Sequence, residues 1–383
     1  MTIEDVKRIA VIGAGNMGHA IAACFLLGGY TVILQDIDPN YVQRGVEGII
    51  NSLERFQAAR KITPETAACS LTRLISCTNL KHAACEADFI IEAVPEQPDL
   101  KKQIFSDLDR LAPPHAILAS NTSNISISEI ARATKRPDKV IGYHFFNPAV
   151  IMKLVEVIKG ADSSPESLQT AYDMALQIGK TPVMVGKDSP GFIYNRINEP
   201  LLVLLSKILE VGHPSPEEFD AAFKATLPMT PFELMDYVGI DVMVCGLEYF
   251  SSVLSTDYKP SAELSAYLSA GTLGRKTRRG FFDWSDGRPV IDAAKATREY
   301  DIHHIRALQI NEATKLLEEG VAENPDLIDQ ALACGGGVPI GPFAMARQTG
   351  YGILLNRLED LHDKFGLDLF RPTTMLRNAS ISA

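Results

Sequence analysis

Residues 9–22 read IAVIGAGNMGHAIA. A short β-branched run enters Gly13, Gly15 and Gly18, and HAIAACFLLGG follows with a helical period closed by glycines. The pattern predicts a strand, a tight turn and a helix. Gly13 permits the turn, Gly15 lets backbone approach a pyrophosphate, and Gly18 lets the helix lie close on the strand. The helix start offers free N–H groups and a partial positive charge to phosphate. Gly13, Ala14, Gly15, Asn16, Met17 and Gly18 are therefore the expected cofactor-binding turn. Asp36 ends YTVILQD, 18 residues beyond Gly18, where a carboxylate accepts from a ribose 2′-hydroxyl. Asp36 and Asp38 would repel a 2′-phosphate, and the nearest arginine is Arg44. NAD is thus favoured over NADP.

Outward from this turn, YTVILQD, DFIIEAV, AILASN, KVIGYHFF, MKLVEVIKG and TPVMVGK each predict a buried strand. Strands alternating with helices imply a parallel sheet covered on both faces, a Rossmann-type α/β domain over residues 1–187. From residue 188 the chain becomes helical. PGFIYNRINEPLLVLLSKILEVG predicts one long helix that starts at Ser189-Pro190 and bends near Pro200. Being apolar on more than one face, it is expected deep in an interface between domains. Residues 206–239 and 314–350 then repeat one another: LEVG answers LEEG, EEFDAAF answers DLIDQAL, and PMTPFELMDYVG answers PIGPFAMARQTG. An all-α C-terminal domain in two copies, 188–295 and 296–383, is the expectation. Residues 287–301 form the expected linker, and residues 367–383 a loosely held tail.

Composition narrows the function. A net charge of -10 over 383 residues argues against nucleic-acid partners, which need a surplus of lysine and arginine. No apolar run approaches the ~18 residues of a membrane helix, and MTIEDVKRIAVIG lacks a signal-peptide pattern. A cytoplasmic protein without a membrane partner is expected. Cysteines 24, 69, 77, 85, 245 and 334 show no C-x-x-C pairing, as reduced, mostly buried thiols would; no metal site is expected.

The stretch YHFFNPAVIMKLVEV, 143–157, holds a candidate for chemistry. Removing hydride from an alcohol requires a base for its hydroxyl proton, and histidine suits neutral pH. His144 ends a strand at the sheet edge where ligands of open α/β sheets gather. Glu156 lies in a strand that can run back beside it after Asn147-Pro148 and orient the imidazole. Spacing equally allows Glu156 to be the polar member of an edge strand that never meets His144.

In chain order, SNTSNISISEIA, GYHFFNPAVIMKLVEVIKG, KDSPGFIYNR and PFELMDYVGID resemble the 3-hydroxyacyl-CoA dehydrogenase family over nearly the whole chain. H-F-F-N-P together with G-F-x-x-N-R is the specific combination. The resemblance implies reversible, NAD-dependent oxidation of an L-3-hydroxyacyl-CoA, as in fatty-acid β-oxidation or butanoate metabolism. It implies His144 as general base, Glu156 as its partner, and Ser123 and Asn195 as residues that position substrate and nicotinamide. Glu96 and Lys101 of VPEQPDLK and Lys276 of LGRKTRRGFF are implied cofactor contacts. Ser52 is an implied CoA contact, with Arg55, Arg60 and Lys61 near it. The helical copies are expected to resemble the C-terminal domain of 6-phosphogluconate dehydrogenase. Without the resemblance, Ser123 reads as a helix cap, Asn195 as a helix–helix hydrogen bond, and Glu96 and Lys101 as solvated residues. Two other functions stay open: a dehydrogenase of a free hydroxy or sugar acid, like L-gulonate 3-dehydrogenase, and a non-catalytic, crystallin-like NAD-binding protein.

Departures from the family pattern carry expectations too. Thr230 stands in PMTPF where the family usually has glycine, and is expected to reshape the acyl pocket. HHIRALQINEA replaces G-F-x-x-N-R in the second copy, so one active site is expected. Single-copy members dimerise through this domain. A homodimer is expected here, or a monomer if the second copy packs on the first and replaces that contact.

Overall fold

The computed structural model describes residues 2–336 and 340–378. The Val- and Ile-rich runs form strands β1 (Arg8–Ile12), β2 (Thr31–Gln35), β3 (Leu74–Cys77), β4 (Phe89–Glu92), β5 (Ile117–Ser120), β6 (Val140–Phe145), β7 (Leu154–Ile158) and β8 (Thr181–Val185). They make one sheet in the order β3-β2-β1-β4-β5-β6-β7-β8. Every neighbouring pair is parallel except β6 with β7, which is antiparallel. The chain winds outward in both directions from β1 and β4, which places the switch point, where such sheets bind ligands, between those two strands. The edge strand β3 was not foreseen. Its four residues are all half-buried or exposed, so RLISC carries no buried-strand signal.

Helices α1 (Asn16–Leu27), α2 (Pro39–Ala58), α3 (Pro64–Leu71), α4 (Leu80–Ala84), α5 (Pro98–Leu111), α6 (Ile127–Ala131) and α7 (Pro165–Gln177) complete the α/β part. Three of them start by one rule: proline at the first position, preceded by Asp38, Thr63 or Ser164, whose side-chain oxygen accepts a first-turn N–H. On β6, Ile141, Tyr143 and Phe145 enter the core with Phe25 of α1 and Met174 of α7. Each fully buried aromatic there contributes roughly 1.5–3 kcal/mol. Strand alternation turns His144 to the other face.

The helical part comprises α8 (Tyr194–Val211), α9 (Pro216–Phe223), α10 (Pro231–Val238), α11 (Ile240–Val253), α12 (Ala262–Ser269), α13 (Ile302–Glu318), α14 (Pro325–Gly336), α15 (Pro342–Thr349), α16 (Tyr351–Phe365) and α17 (Thr374–Arg377). α8 to α11 answer α13 to α16 in order, the duplication read from the sequence. α8 starts at Tyr194, not at Pro190. Gly191 and Phe192 have positive φ values of 75° and 54°, a left-handed turn that a helix cannot absorb. Pro200 lies inside α8.

Contacts divide the chain into one unit of residues 1–193 and 320–341 and another of 194–319 and 342–383. The boundaries expected at 187 and 295 do not coincide with this division. In the first unit, α14 of the second copy lies on β7 and β8, and Gly186 N–H donates to Val321 O at 2.8 Å. An amphipathic helix buries its apolar stripe on whichever face is offered, and its sequence does not name that face. In the second unit α13 lies along α8. Buried Arg196 of α8 reaches Glu312 Oε1 at 2.5 Å and Glu319 Oε1 at 3.0 Å.

A chain shortened to residues 1–295 would therefore strip α14 from the sheet and leave Arg196 without either carboxylate. Removing the partner of a buried charge costs about 3–5 kcal/mol, so the shortened chain is expected to aggregate on size exclusion. A soluble, monodisperse 1–295 chain would contradict this.

Two further expectations are corrected. The tail is held: Leu369, Phe370 and Leu376 are buried, and Asn311 Oδ1 accepts Thr373 N–H at 3.0 Å; residues 379–383 lie outside the described residues. All six cysteines are free, but only Cys24 is buried; the others lie on elements with one solvated side. Thr230 is fully buried. Its hydroxyl donates to Asp220 Oδ2 at 2.8 Å, and it starts α10 in a capping box with Glu233.

Candidate active site

His144 and Glu156 face each other across the antiparallel β6–β7 pair. Directly opposed residues on one face have Cβ atoms about 4.5–5.5 Å apart, so the hairpin alone brings imidazole and carboxylate together. His144 Nδ1 lies 2.8 Å from Glu156 Oε2. The other carboxylate oxygen, Oε1, accepts the Ile193 N–H at 3.0 Å. Glu156 is 0% exposed and His144 6%. Phe146 and Phe192 flank the imidazole at ring distances of 4.4 and 5.8 Å. An ionised carboxylate only accepts hydrogen bonds, so it selects the tautomer with the proton on Nδ1 and leaves the lone pair on Nε2. Nε2 has no hydrogen-bond partner among the described residues.

The neighbouring strand ends carry a second polar cluster. Glu92, at the end of β4, is 0% exposed; it takes Lys101 Nζ at 2.7 Å on one oxygen and Ser120 Oγ at 2.6 Å on the other. Lys101 also reaches Glu96 Oε2 at 3.2 Å. Glu96 Oε1 then accepts from Thr122 Oγ1 at 2.5 Å and from the N–H groups of Ser123 and Asn124 at 3.0 and 3.2 Å. Burial opposes charge on Glu96, but Lys101 and these donors outweigh it and hold its carboxyl below the usual range. The Ser123 turn is clamped from below. Asn121 Oδ1 accepts the Phe145 N–H at 2.8 Å, which ties the same turn to the strand bearing His144. Ser123 is not a helix cap; Ser126 caps α6. Nor is Lys101 a solvated residue, being 1% exposed.

The glycine turn opens between β1 and β4. Gly13 has φ of 99°, and a Cβ there would stand 2.7 Å from Ala93 O; at Gly18 a Cβ would strike Gly13 O. Around Gly15 a Cβ would meet nothing within 4 Å, so the approach is open. α1 starts there with no side-chain cap and leaves its first N–H groups for an anion. Asp36 Oδ2 accepts the Ala14 N–H at 2.8 Å, placing the carboxylate against the turn. Asp38 caps α2, and Arg44 stacks on Tyr41. This donor set fits a dinucleotide with a free ribose hydroxyl.

Residues 8–189 match the family model "3-hydroxyacyl-CoA dehydrogenase, NAD binding domain". Residues 191–284 and again 303–380 match "3-hydroxyacyl-CoA dehydrogenase, C-terminal domain". The chain belongs to the 3-hydroxyacyl-CoA dehydrogenase family. A solved 3-hydroxybutyryl-CoA dehydrogenase from Escherichia coli K12 shares the fold with a TM-score of 0.88, at 30% identity over 98% of both chains. The 3-hydroxyadipyl-CoA dehydrogenase of Escherichia coli (strain K12) is 32% identical, with 98% of each chain covered. A probable 3-hydroxybutyryl-CoA dehydrogenase of Bacillus subtilis (strain 168) is 39% identical over 74% of this chain and 99% of its own. The last match leaves about a quarter of this chain uncovered.

In this family member the remaining expected site residues are carried by helices and a loop. Asn195 is on the first turn of α8, in the helical unit. Lys276 is also in that unit, where its ammonium pairs with Asp241. Ser52 lies on α2 with its hydroxyl donated to Gly48 O at 2.8 Å. Sequence reading missed Glu92, Asn121, Thr122 and Ile193. The first three flank residues that were singled out, and polar residues at consecutive strand ends were the available signal. Ile193 contributes only backbone, for which a side-chain pattern gives no signal. Among the described residues no cluster of three His, Cys, Asp or Glu could hold a metal ion, and no helix is long and apolar enough to cross a membrane.

Proposed function

We propose that the protein oxidises an L-3-hydroxyacyl-CoA to the 3-ketoacyl-CoA reversibly, with His144 as the proton acceptor. The observation that carries this reading is the buried His144–Glu156 pair with Nε2 left unengaged. Glu156 holds the Nδ1 proton, Nε2 takes the proton of the C3 hydroxyl, and the carboxylate then stabilises the imidazolium. Ser123 orients the substrate from the turn that Glu96 clamps. Asn195 donates its amide to substrate oxygen as negative charge develops there. The turn Gly13–Gly18 and Asp36 hold the dinucleotide. Bound NAD supplies the acceptor for the hydride that leaves C3. Glu96 and Lys101 act on the cofactor side through the strand-end cluster, and Lys276 is assigned the same side.

CoA brings several negative charges to a chain of net charge -10, so local cations must receive it. A groove of about 310 Å³ in the α/β unit is lined by Phe56, Lys61, Ile62, Val150, Ile151 and Lys153, with no acidic residue. Phe56 lies one turn past Ser52 on α2, and we assign the ADP end of CoA to this groove. Glu replacements of Lys61 and Lys153 together are expected to raise KM for acetoacetyl-CoA about tenfold with kcat little changed, an effect that shrinks at high salt. Steady-state assays at two ionic strengths check this.

The free thiols suit a reducing compartment, and we place the enzyme in the cytoplasm. The second helical copy, whose α13 lies along α8, is read as taking over part of a subunit contact. NADH consumption with acetoacetyl-CoA tests the function against its competitors. Turnover supports it; turnover of only a free keto acid, or NADH binding without turnover, would overturn it.

A further inference from the structure

Beneath the Ser123 turn, within the α/β unit, five residues close a ring of polar contacts. Glu92 Oε2 accepts from Ser120 Oγ at 2.6 Å, and Ser120 Oγ accepts the Thr122 N–H at 3.3 Å. Thr122 Oγ1 donates to Glu96 Oε1 at 2.5 Å. Glu96 Oε2 meets Lys101 Nζ at 3.2 Å, and Lys101 Nζ returns to Glu92 Oε1 at 2.7 Å. Glu92, Lys101, Ser120 and Thr122 are buried. Glu96, its side chain 39% exposed, is the member that reaches solvent.

An ammonium has three N–H donors, and Lys101 Nζ has three oxygens around it: Glu92 Oε1, Glu96 Oε2 and Val94 O, the last at 3.4 Å. No donor is left for a dinucleotide. Glu92 is equally committed, because Oε1 also accepts the Val94 N–H at 2.7 Å. Next to that bond the Ala93 carbonyl lies against Gly13. One buried carboxylate thus fixes the backbone facing the glycine turn and, through the ring, the turn that carries Ser123.

Burying an ammonium with a carboxylate is expensive, and an apolar pair of similar volume is often at least as stable. Stability alone does not account for Glu92 and Lys101. What the ring does is aim Glu96, whose Oε1 takes the N–H groups of Ser123 and Asn124 at 3.0 and 3.2 Å.

We propose that Glu92 and Lys101 are positioning residues for the reaction: they act through Glu96 on Ser123, and neither touches dinucleotide or substrate. This rests on the reading of Ser123 as a substrate contact. Without the Glu92 charge, Lys101 keeps Glu96 as the one carboxylate of its ring and draws it inward, so the acceptor that holds the Ser123 N–H shifts. A misplacement of about 1 Å at an orienting group costs about 10²-fold in rate.

The test is a double-mutant cycle on kcat for acetoacetyl-CoA reduction by NADH, over wild type, Glu92→Gln, Ser123→Ala and the double variant. Glu92→Gln is expected to lower kcat about 10–100-fold when Ser123 is present. With Ser123 already alanine the loss is expected to shrink below about twofold, and KM for NADH to stay within about threefold in all four proteins. Additive losses would overturn the proposal, as would a folded Glu92→Gln with wild-type kcat. Glu92→Met combined with Lys101→Met removes both charges together and serves if the glutamine variant does not fold. It is expected to give the same Ser123-dependent loss, with Kd for NADH by fluorescence titration within about threefold of the wild type. A Kd weakened about tenfold or more would make Lys101 a cofactor contact and overturn its assignment as a positioning residue. Wild-type kcat in Ser123→Ala alone would instead overturn the reading of Ser123, and the proposal with it.

Discussion

Glu156→Gln is expected to lower kcat by roughly 10³–10⁴-fold while leaving the protein folded. The two carboxylate oxygens have different tasks: Oε1 accepts the buried Ile193 N–H and Oε2 accepts from His144 Nδ1. Glutamine keeps the shape but offers one oxygen and one NH2 group. Ile193 can only donate, so the amide oxygen must turn to it, and the NH2 then points at Nδ1. That forces Nδ1 to accept and moves the ring proton to Nε2, where it blocks uptake of the substrate proton. The alternative flip sets two donors against each other at Ile193 and leaves a buried N–H unmatched. Either way the imidazole can no longer serve as base. Steady-state kinetics with a circular dichroism control check this, and a variant retaining more than a tenth of the wild-type kcat would contradict it.

His144→Ala is expected to lower kcat by roughly 10²–10⁴-fold. Truncation removes the base but leaves the glycine turn, Asp36 and the Glu96 clamp untouched, because those groups make no contact with the imidazole. NADH affinity, followed by fluorescence titration, is therefore expected to match the wild type. Combined loss of turnover and of NADH binding would mean that His144 supports the fold of the cleft and does not act in the reaction. Of the two substitutions, the glutamine discriminates better, since it changes one proton's position and little volume.

Much of this site could be read before the structure, for reasons that differ by residue. The Gly13–Gly18 turn was legible because each glycine answers a local steric demand. The pairing of His144 with Glu156 was legible in outline, since twelve residues containing Asn147-Pro148 suffice for a strand to return, and period-two alternation then fixes which side chains share a face. The duplicated helices showed themselves through matched spacing. What could not be read depends on partners distant in sequence or on backbone. Lys101 looks solvated until Glu92 and Glu96 converge on it. The late start of α8 follows from a left-handed turn at Phe192, a residue type that rarely adopts one. α14 has the same amphipathic pattern whether it covers a helix or a sheet, so its place on β7 and β8 was not encoded in its own residues.

The position of one proton decides the account. Nitrogen-15 NMR of histidine-labelled protein, with the His144 resonances assigned by their loss in His144→Ala, reports which ring nitrogen carries hydrogen in the neutral imidazole. The expected result is a protonated Nδ1 and a bare Nε2, inverted in Glu156→Gln. A wild-type ring with its proton on Nε2 would contradict it.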